Sequence, residues 1–313
     1  MTKPFTQGAF SDLPEKPRRP HRYFELEARD VIVMSDAFGR LRTHVRFAGP
    51  PDAPPLLLVH GLMTSSYSFR YVLDGLGAQH RLVIPDLPGA GRTERAPHVE
   101  HSPANLAGWI VSLMRALDIE GCLALGNSMG GYLCMHVALS HPRAFRRLVN
   151  VHSPGLTTGR MIALSGAMQF RALRGLASTL FGISPLRFVH KNVHYYDESL
   201  KSLEEAREYG SVLADPAGAE SLVRYLSDAL GVTGMRAFEA ELADRRERGE
   251  SFPVPLLHLY ADRDPMVPAD LGPRLHALTP GSELIVLDHT SHFMHVDTPE
   301  RVVDLVRAFL TRT

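Results

Sequence analysis

The chain has 313 residues, 44% hydrophobic and 22% charged, enough apolar material for one large domain or a domain carrying an insertion. Lysine plus arginine and aspartate plus glutamate both number 34, a balance that argues against a dedicated nucleic-acid binder, whose footprint is basic. The two cysteines, Cys122 and Cys134, lie in apolar surroundings without disulfide or metal-ligand spacing and read as reduced core residues of a cytoplasmic protein.

Residues 1–22 carry four prolines and scattered charges, a poor export signal, and read as an arm that is either flexible or draped over the domain. No apolar run reaches membrane-spanning length, so no stable membrane insertion is expected. From Tyr23 to Val45 the pattern gives two strands joined at "SDAFGR". "PPLLLVHG" is a buried strand ending at His60, because a short apolar run bounded by Pro and Gly fits a strand better than a helix. A helix is predicted over Tyr67–Leu76, a strand in "HRLVIPDLPG", and a helix over Asn105–Leu117 with Leu106, Ile110, Leu113 and Leu117 at helical spacing. The strand "CLALG" leads through a glycine-rich turn into a helix from Met129 to Ser140, and "RRLVNVHS" is the next strand.

There the alternation pauses. Residues 155–250 read as helical, and alternation resumes with "PLLHLYADRD", a helix near Pro268–Leu278, the strand "ELIVLD" and a last helix. Asp297, with Glu300 three residues on and Pro299 between, is a capping-box candidate for that helix. The fold class is therefore α/β: a mostly parallel sheet covered by helices, with a core of residues 23–154 and 251–313. An all-helical insertion over 155–250 most naturally makes a lid above the carboxyl edge of the strands, where open α/β sheets bind ligands.

Gly126-Asn127-Ser128-Met129-Gly130 matches G-x-S-x-G between a predicted strand and a predicted helix, the context in which the motif presents a nucleophile. A serine hydroxyl needs a base to take its proton and an acid to orient that base. "YADRDPMVP" offers Asp262 and Asp264 as the acid, and "DHTSHFMH" offers His289, His292 and His295 as the base. The order serine, acid, histidine is the one used by sheets of this type. No H-E-x-x-H or comparable ligand set suggests a metal, and no cofactor is expected.

Taken together, "HGLMTSSYSFR", "PDLPGAGRT", "GNSMGG", "DRDPMVP" and "SHFMHVDTPE" resemble the α/β-hydrolase fold superfamily, in its branch with a helical cap after the sixth core strand. The resemblance implies that Asp264, ahead of x-x-V-P, is the acid and His292 the base. Asp262 is then a loop brace, His295 a lid contact and His289 a solvated loop residue. His60-Gly61 resembles the first oxyanion loop, which implies that the amides of Leu62 and Met129 bind the oxyanion and that His60 is a brace. Asp86, Gly89 and Gly91 resemble a structural turn beneath the site. His152 reads either as lining the pocket or as a hydrogen-bonded structural histidine.

The motifs also resemble haloalkane dehalogenases and epoxide hydrolases, but those use an aspartate where this chain has Ser128. An alkylated serine is an inert ether, so serine implies acyl transfer. The expectation is a carboxylesterase or lipase-like serine hydrolase acting on a small or medium, mainly apolar ester. The alternatives are a serine C–C hydrolase of ring-fission diketones, whose glycine-rich loop after HG is missing here, and a ligand receptor retaining the fold. In the cap, Met161, Phe170, Phe181 and Phe188 are candidates for an apolar acyl pocket, against ordinary helix packing. Residues 155–196 hold Arg160, Arg171, Arg174, Arg187 and Lys191 but no Asp or Glu. This basic bias suits solvated arginines, an anionic substrate or a membrane surface.

Overall fold

The structure is a computed structural model that describes residues 3–168 and 170–312, with backbone alone at 160, 161, 164, 165 and 171. Eight strands form one sheet: β1 (Glu27–Ser35), β2 (Gly39–Ala48), β3 (Pro55–Val59), β4 (Arg81–Pro85), β5 (Cys122–Asn127), β6 (Phe145–Val151), β7 (Leu256–Ala261) and β8 (Glu283–Leu287). Their order is β1-β2-β4-β3-β5-β6-β7-β8, with β1 and β2 antiparallel to their neighbours and every other pair parallel. Every residue of β5 and β7 is buried. That is why these strands read as continuous apolar runs: both faces of a parallel sheet are covered. Along β3, Leu57 and Val59 join one apolar cluster with Trp109 and Tyr132, while Leu56 and Leu58 join another with Tyr67 and Phe309. The two clusters are the two sides of the sheet. At the β1 edge, exposed Glu27, Arg29 and Asp30 discourage further strand pairing.

Before β6 the helices are α1 (Leu73–Gly77), α2 (Pro103–Ala116) and α3 (Met129–Ser140). Between β6 and β7 come α4 (Gly159–Met168), α5 (Arg171–Ile183), α6 (Pro185–Asn192), α7 (Leu203–Gly210), α8 (Pro216–Arg224) and α9 (Val232–Glu247), followed later by α10 (Leu271–Ala277), α11 (Met294–Asp297) and α12 (Pro299–Leu310). Among the described residues, no helix is long and apolar enough to cross a membrane.

Two local expectations are corrected. In place of one helix over Tyr67–Leu76 there is a tight turn at Ser66–Phe69 and then the short α1. The amides of Arg70 and Val72 bond three residues back, to Tyr67 and Phe69, and the tighter winding buries Tyr67, Ser68, Phe69 and Arg70 in succession. Asp297 does not cap the last helix. Thr298 occupies that position without a side-chain capping bond, and the Asp297 carboxylate accepts instead from the amides of Ser291 (2.7 Å) and Tyr196 (2.9 Å).

The N-terminal arm is draped over the molecule. Phe5 N–H donates to Tyr196 O (3.2 Å), and the amides of Leu203 and Glu204 donate to Pro14 O and Glu15 O (2.9 and 3.0 Å). Tyr23, where the arm meets the core, is fully buried and bonds Ser66 Oγ at 2.7 Å. The arm thus fastens α7 and the chain around Tyr196 to the rest of the fold.

Candidate active site

Ser128 stands between β5 and α3 with φ +55° and ψ −124°, a backbone conformation that costs a non-glycine residue on the order of 1–3 kcal/mol. The surrounding packing holds it there. Its amide donates to Val151 O on β6 at 2.7 Å. A Cβ on Gly130 would lie 2.2 Å from Val59 O, and one on Gly126 would lie 2.5 Å from the backbone of Gly130. Only glycine lets α3 begin this close to β3 and β5, which is why the serine is ringed by glycines. A Cβ on Gly61 would come within 3.0 Å of Ser128 Cβ, so the loop after β3 passes directly over the serine.

Asp264, in the loop after β7, has a side chain with 0% exposure, and its Oδ2 accepts from His292 Nδ1 at 2.7 Å. Its Oδ1 accepts from the amides of Met266 and Val267 at 2.6 and 3.0 Å. Burial works against the charge of this carboxylate, but the adjacent His292 and His152 outweigh it and hold the group well below the usual carboxylate range. Donation from Nδ1 fixes the His292 tautomer and leaves Nε2 as its basic nitrogen. The Asn127 side-chain amide donates to His292 O at 3.1 Å, tying the histidine loop to the residue preceding Ser128.

His152, which the sequence left undecided, is a direct neighbour of Asp264. It sits one residue beyond β6, with φ +46°, and its Nε2 lies 2.9 Å from Asp264 Oδ2. Its Nδ1 accepts from Ala261 N–H at 2.9 Å, so Nε2 carries the proton and donates to the carboxylate. The order β5-β6-β7 places the ends of these strands side by side, and that adjacency was the only available sequence signal. His152, Asp264 and His292 offer ligand atoms within 4.8 Å of one another, a spacing that admits a metal. The donor chemistry does not fit one, because both nitrogens facing the carboxylate carry protons.

The other candidates are placed as follows. Asp262 is exposed. His289 is exposed beside Asp288, and His295 is buried against Ser68 Oγ (2.8 Å) and the Phe69 ring, a core contact where a lid contact was expected. Burial, with the charges of Arg70 and His292, pushes His295 down to about 3. His60 accepts from Leu87 N–H and donates to Gly61 O, both at 2.9 Å, and burial lowers its basicity against a smaller pull from Asp86. Asp86 accepts from the amides of Ser66 and Arg92 beneath the site, and a Cβ on Gly91 would strike its carboxylate.

Leu62 and Met129 line a small cavity of about 30 Å³, room for little more than a water-sized group. The Met129 amide opens α3 and so has no carbonyl within its own helix to bond. The opposite wall is Tyr209, Val212, Leu213, Leu222 and Tyr225, all from the second half of the inserted helices. Phe170, Phe181 and Phe188 are not among the lining residues. Phe170 is 65% exposed, whereas Phe181 and Phe188 stack on each other with centroids 4.7 Å apart. The Met161 side chain lies outside the described residues.

The chain belongs to the alpha/beta hydrolase fold family, whose model matches residues 54–299. It is a hydrolase of that fold. Relatives include an uncharacterized hydrolase, YugF, from Bacillus subtilis, 26% identical over 83% of this chain and 91% of that protein. Another is a pimeloyl-[acyl-carrier protein] methyl ester esterase from Aeromonas hydrophila, 25% identical over 85% of this chain and 97% of that one. Among solved structures, a thermophilic esterase from Thermogutta terrifontis superposes with a TM-score of 0.71 at 18% identity, covering 90% of this chain and 98% of its own, a likeness of fold.

Proposed function

We propose that the protein is a serine carboxylesterase whose triad is Ser128, His292 and Asp264. The observation that carries this reading is the 2.7 Å bond from His292 Nδ1 to a buried, ionised Asp264, at the sheet edge where Ser128 is held at positive φ. Ser128 Oγ attacks the ester carbonyl and its proton passes to His292 Nε2. Asp264 stabilises the resulting imidazolium without taking a proton itself. The amides of Leu62 and Met129 donate to the oxyanion, each such donor being worth about 3–4 kcal/mol of barrier. Collapse expels the alcohol, which leaves with the proton from His292, and an acyl group remains on Ser128. Water, deprotonated by the same histidine, then releases the acid and restores the serine. His152 acts through Asp264 as a positioning residue.

The small cavity, walled by Leu62, Met63, Ala90, Val212, Leu213 and Leu222, favours a short apolar acyl group. The named activity of the Aeromonas relative, hydrolysis of a methyl ester, supports an ester substrate. Ser128→Ala should stay folded and lose at least 10³-fold in kcat on p-nitrophenyl acetate, and a phosphonate should label the wild type at Ser128 alone. Wild-type turnover in the alanine variant would refute the assignment.

A further inference from the structure

Helix α5 is amphipathic the wrong way round. Leu173, Leu176, Leu180 and Ile183 follow one another at intervals of three and four residues, so they share one face. They are 41%, 55%, 54% and 68% exposed. Phe170, just before the helix, and Ile162 on α4 are exposed as well, at 65% and 45%. These six are most of the large apolar side chains exposed anywhere among the described residues, where ten such residues occur in all. The half-buried side of α5 carries Arg174, Ala177, Ser178, Phe181 and Gly182. A surface helix ordinarily turns its apolar stripe inward. Here the side that packs is mixed in character, and the large aliphatic residues are left to the outside.

The stretch of chain that carries this face is charged one way. The chain as a whole is balanced, yet residues 155–196 contain five Arg and Lys and no Asp or Glu. Arg187 and Lys191 on α6 are exposed. A second copy docked through the same face about a two-fold axis would bring this basic segment against itself. A negatively charged surface meets it with the opposite sign. An apolar helical face carried on a basic segment is the arrangement that lies in the headgroup layer of a bilayer.

We propose that the outward face of α5 docks the protein on an anionic phospholipid bilayer. Helix α5 is about 20 Å long at 1.5 Å per residue, enough to lie flat in the interface. It also rests on the wall of the active-site cavity: a Cβ on Gly182 would lie 3.4 Å from the carbonyl oxygen of Leu213, a lining residue. A docked molecule therefore holds its cavity wall one helix layer from the lipid. The docking does not depend on the triad, so it stands or falls separately from the esterase reading.

The test is co-sedimentation of the full chain with phosphatidylglycerol or phosphatidylcholine vesicles at about 0.1 M salt, where exposed charges are still felt over roughly 10 Å. The expected result is at least tenfold stronger partitioning onto phosphatidylglycerol, weakened by added salt. Leu176→Asp with Leu180→Asp should abolish most of that binding while hydrolysis of a water-soluble ester is unchanged. Should that pair fail to fold, Leu176→Ser with Leu180→Ser serves the same purpose. Arg187→Glu with Lys191→Glu should weaken binding to phosphatidylglycerol severalfold, and Ser128→Ala should bind as the wild type does. Equal binding to both lipids, no binding to either, or binding indifferent to the leucine variants would overturn the proposal. So would a dimer in sedimentation equilibrium that the leucine variants dissociate, which would assign the face to a second copy.

Discussion

The two halves of the inserted helices handle apolar side chains in opposite ways. In α7 to α9, Tyr209, Leu213, Leu222, Tyr225, Met235 and Phe238 are buried, and the first four close the cavity beside Ser128. In α4 to α6, the largest aliphatic residues of α5 are exposed, and the aromatic pair Phe181–Phe188 is packed away from the cavity. The second half is also anchored by charge. Arg70, entirely buried between the core and α7, donates to Glu205, with the hydroxyls of Tyr209 and Tyr195 3.4 and 3.5 Å from its guanidinium. Among the described residues, Arg174, Arg187 and Lys191 of the first half form no ion pair with a carboxylate. One half is a fixed wall of the site, and the other is a surface.

The sharpest way to break that comparison is to cut the anchor. Arg70→Met leaves Glu205 buried without its cation, and removing one partner of a buried pair costs about 3–5 kcal/mol. Urea unfolding followed by circular dichroism should show a loss of that size. Arg174→Met, on the outward half, should move stability by no more than about 0.5 kcal/mol. Similar losses in both variants would mean that the halves are held equally and that the distinction fails.

A smaller effect should follow from the wall itself. Leu213→Ala opens space in the cavity that Leu62 and Met129 line, so on the proposed mechanism longer acyl chains should gain relative to acetate. With each newly buried methylene worth up to about 0.8 kcal/mol, the ratio of kcat/KM for p-nitrophenyl butyrate over acetate should rise about tenfold. A ratio taken on one enzyme sample is independent of the folded fraction, so any loss of stability from a buried Leu→Ala change does not confound it. An unchanged ratio would remove Leu213 from the acyl site.

These contrasts also explain which parts of the molecule were legible in the sequence. Ser128, Asp264 and His292 each sit just past a strand, in motifs whose glycines and prolines record backbone demands, so their placement at one sheet edge followed from the strand order. His152 lacked such a motif, and its link to Asp264 is a contact across 112 residues that only the sheet order brings about. Arg70 and Glu205, far apart in the chain, were invisible for the same reason. The orientation of α5 was not legible, for a different physical cause. Periodicity shows which residues share a helix face, but not which way that face turns. The default that large apolar faces turn inward would have sent Phe170 and its neighbours toward the substrate.

Phe170→Ala carries the smallest expected effect and bears most directly on that default. If the Phe170 ring lined an acyl pocket, its removal would take contact from longer chains and flatten the rise from acetate to hexanoate while sparing acetate. At 65% exposure, and absent from the cavity wall, the ring has little contact to lose. The butyrate-to-acetate and hexanoate-to-acetate ratios should therefore stay within about twofold of wild type, and stability within about 0.5 kcal/mol, as for a surface change. Phe181→Ala should differ, because that ring is half-buried against Phe188 and its loss leaves Phe188 without its partner, a pair worth about 0.5–1.5 kcal/mol beyond its buried area. The loss should appear in unfolding and not in the chain-length ratio. A Phe170→Ala profile that flattens toward hexanoate would show that α5 turns its aromatic residue toward substrate during turnover. The first half of the insertion would then be a moving part of the acyl site and not an outward surface.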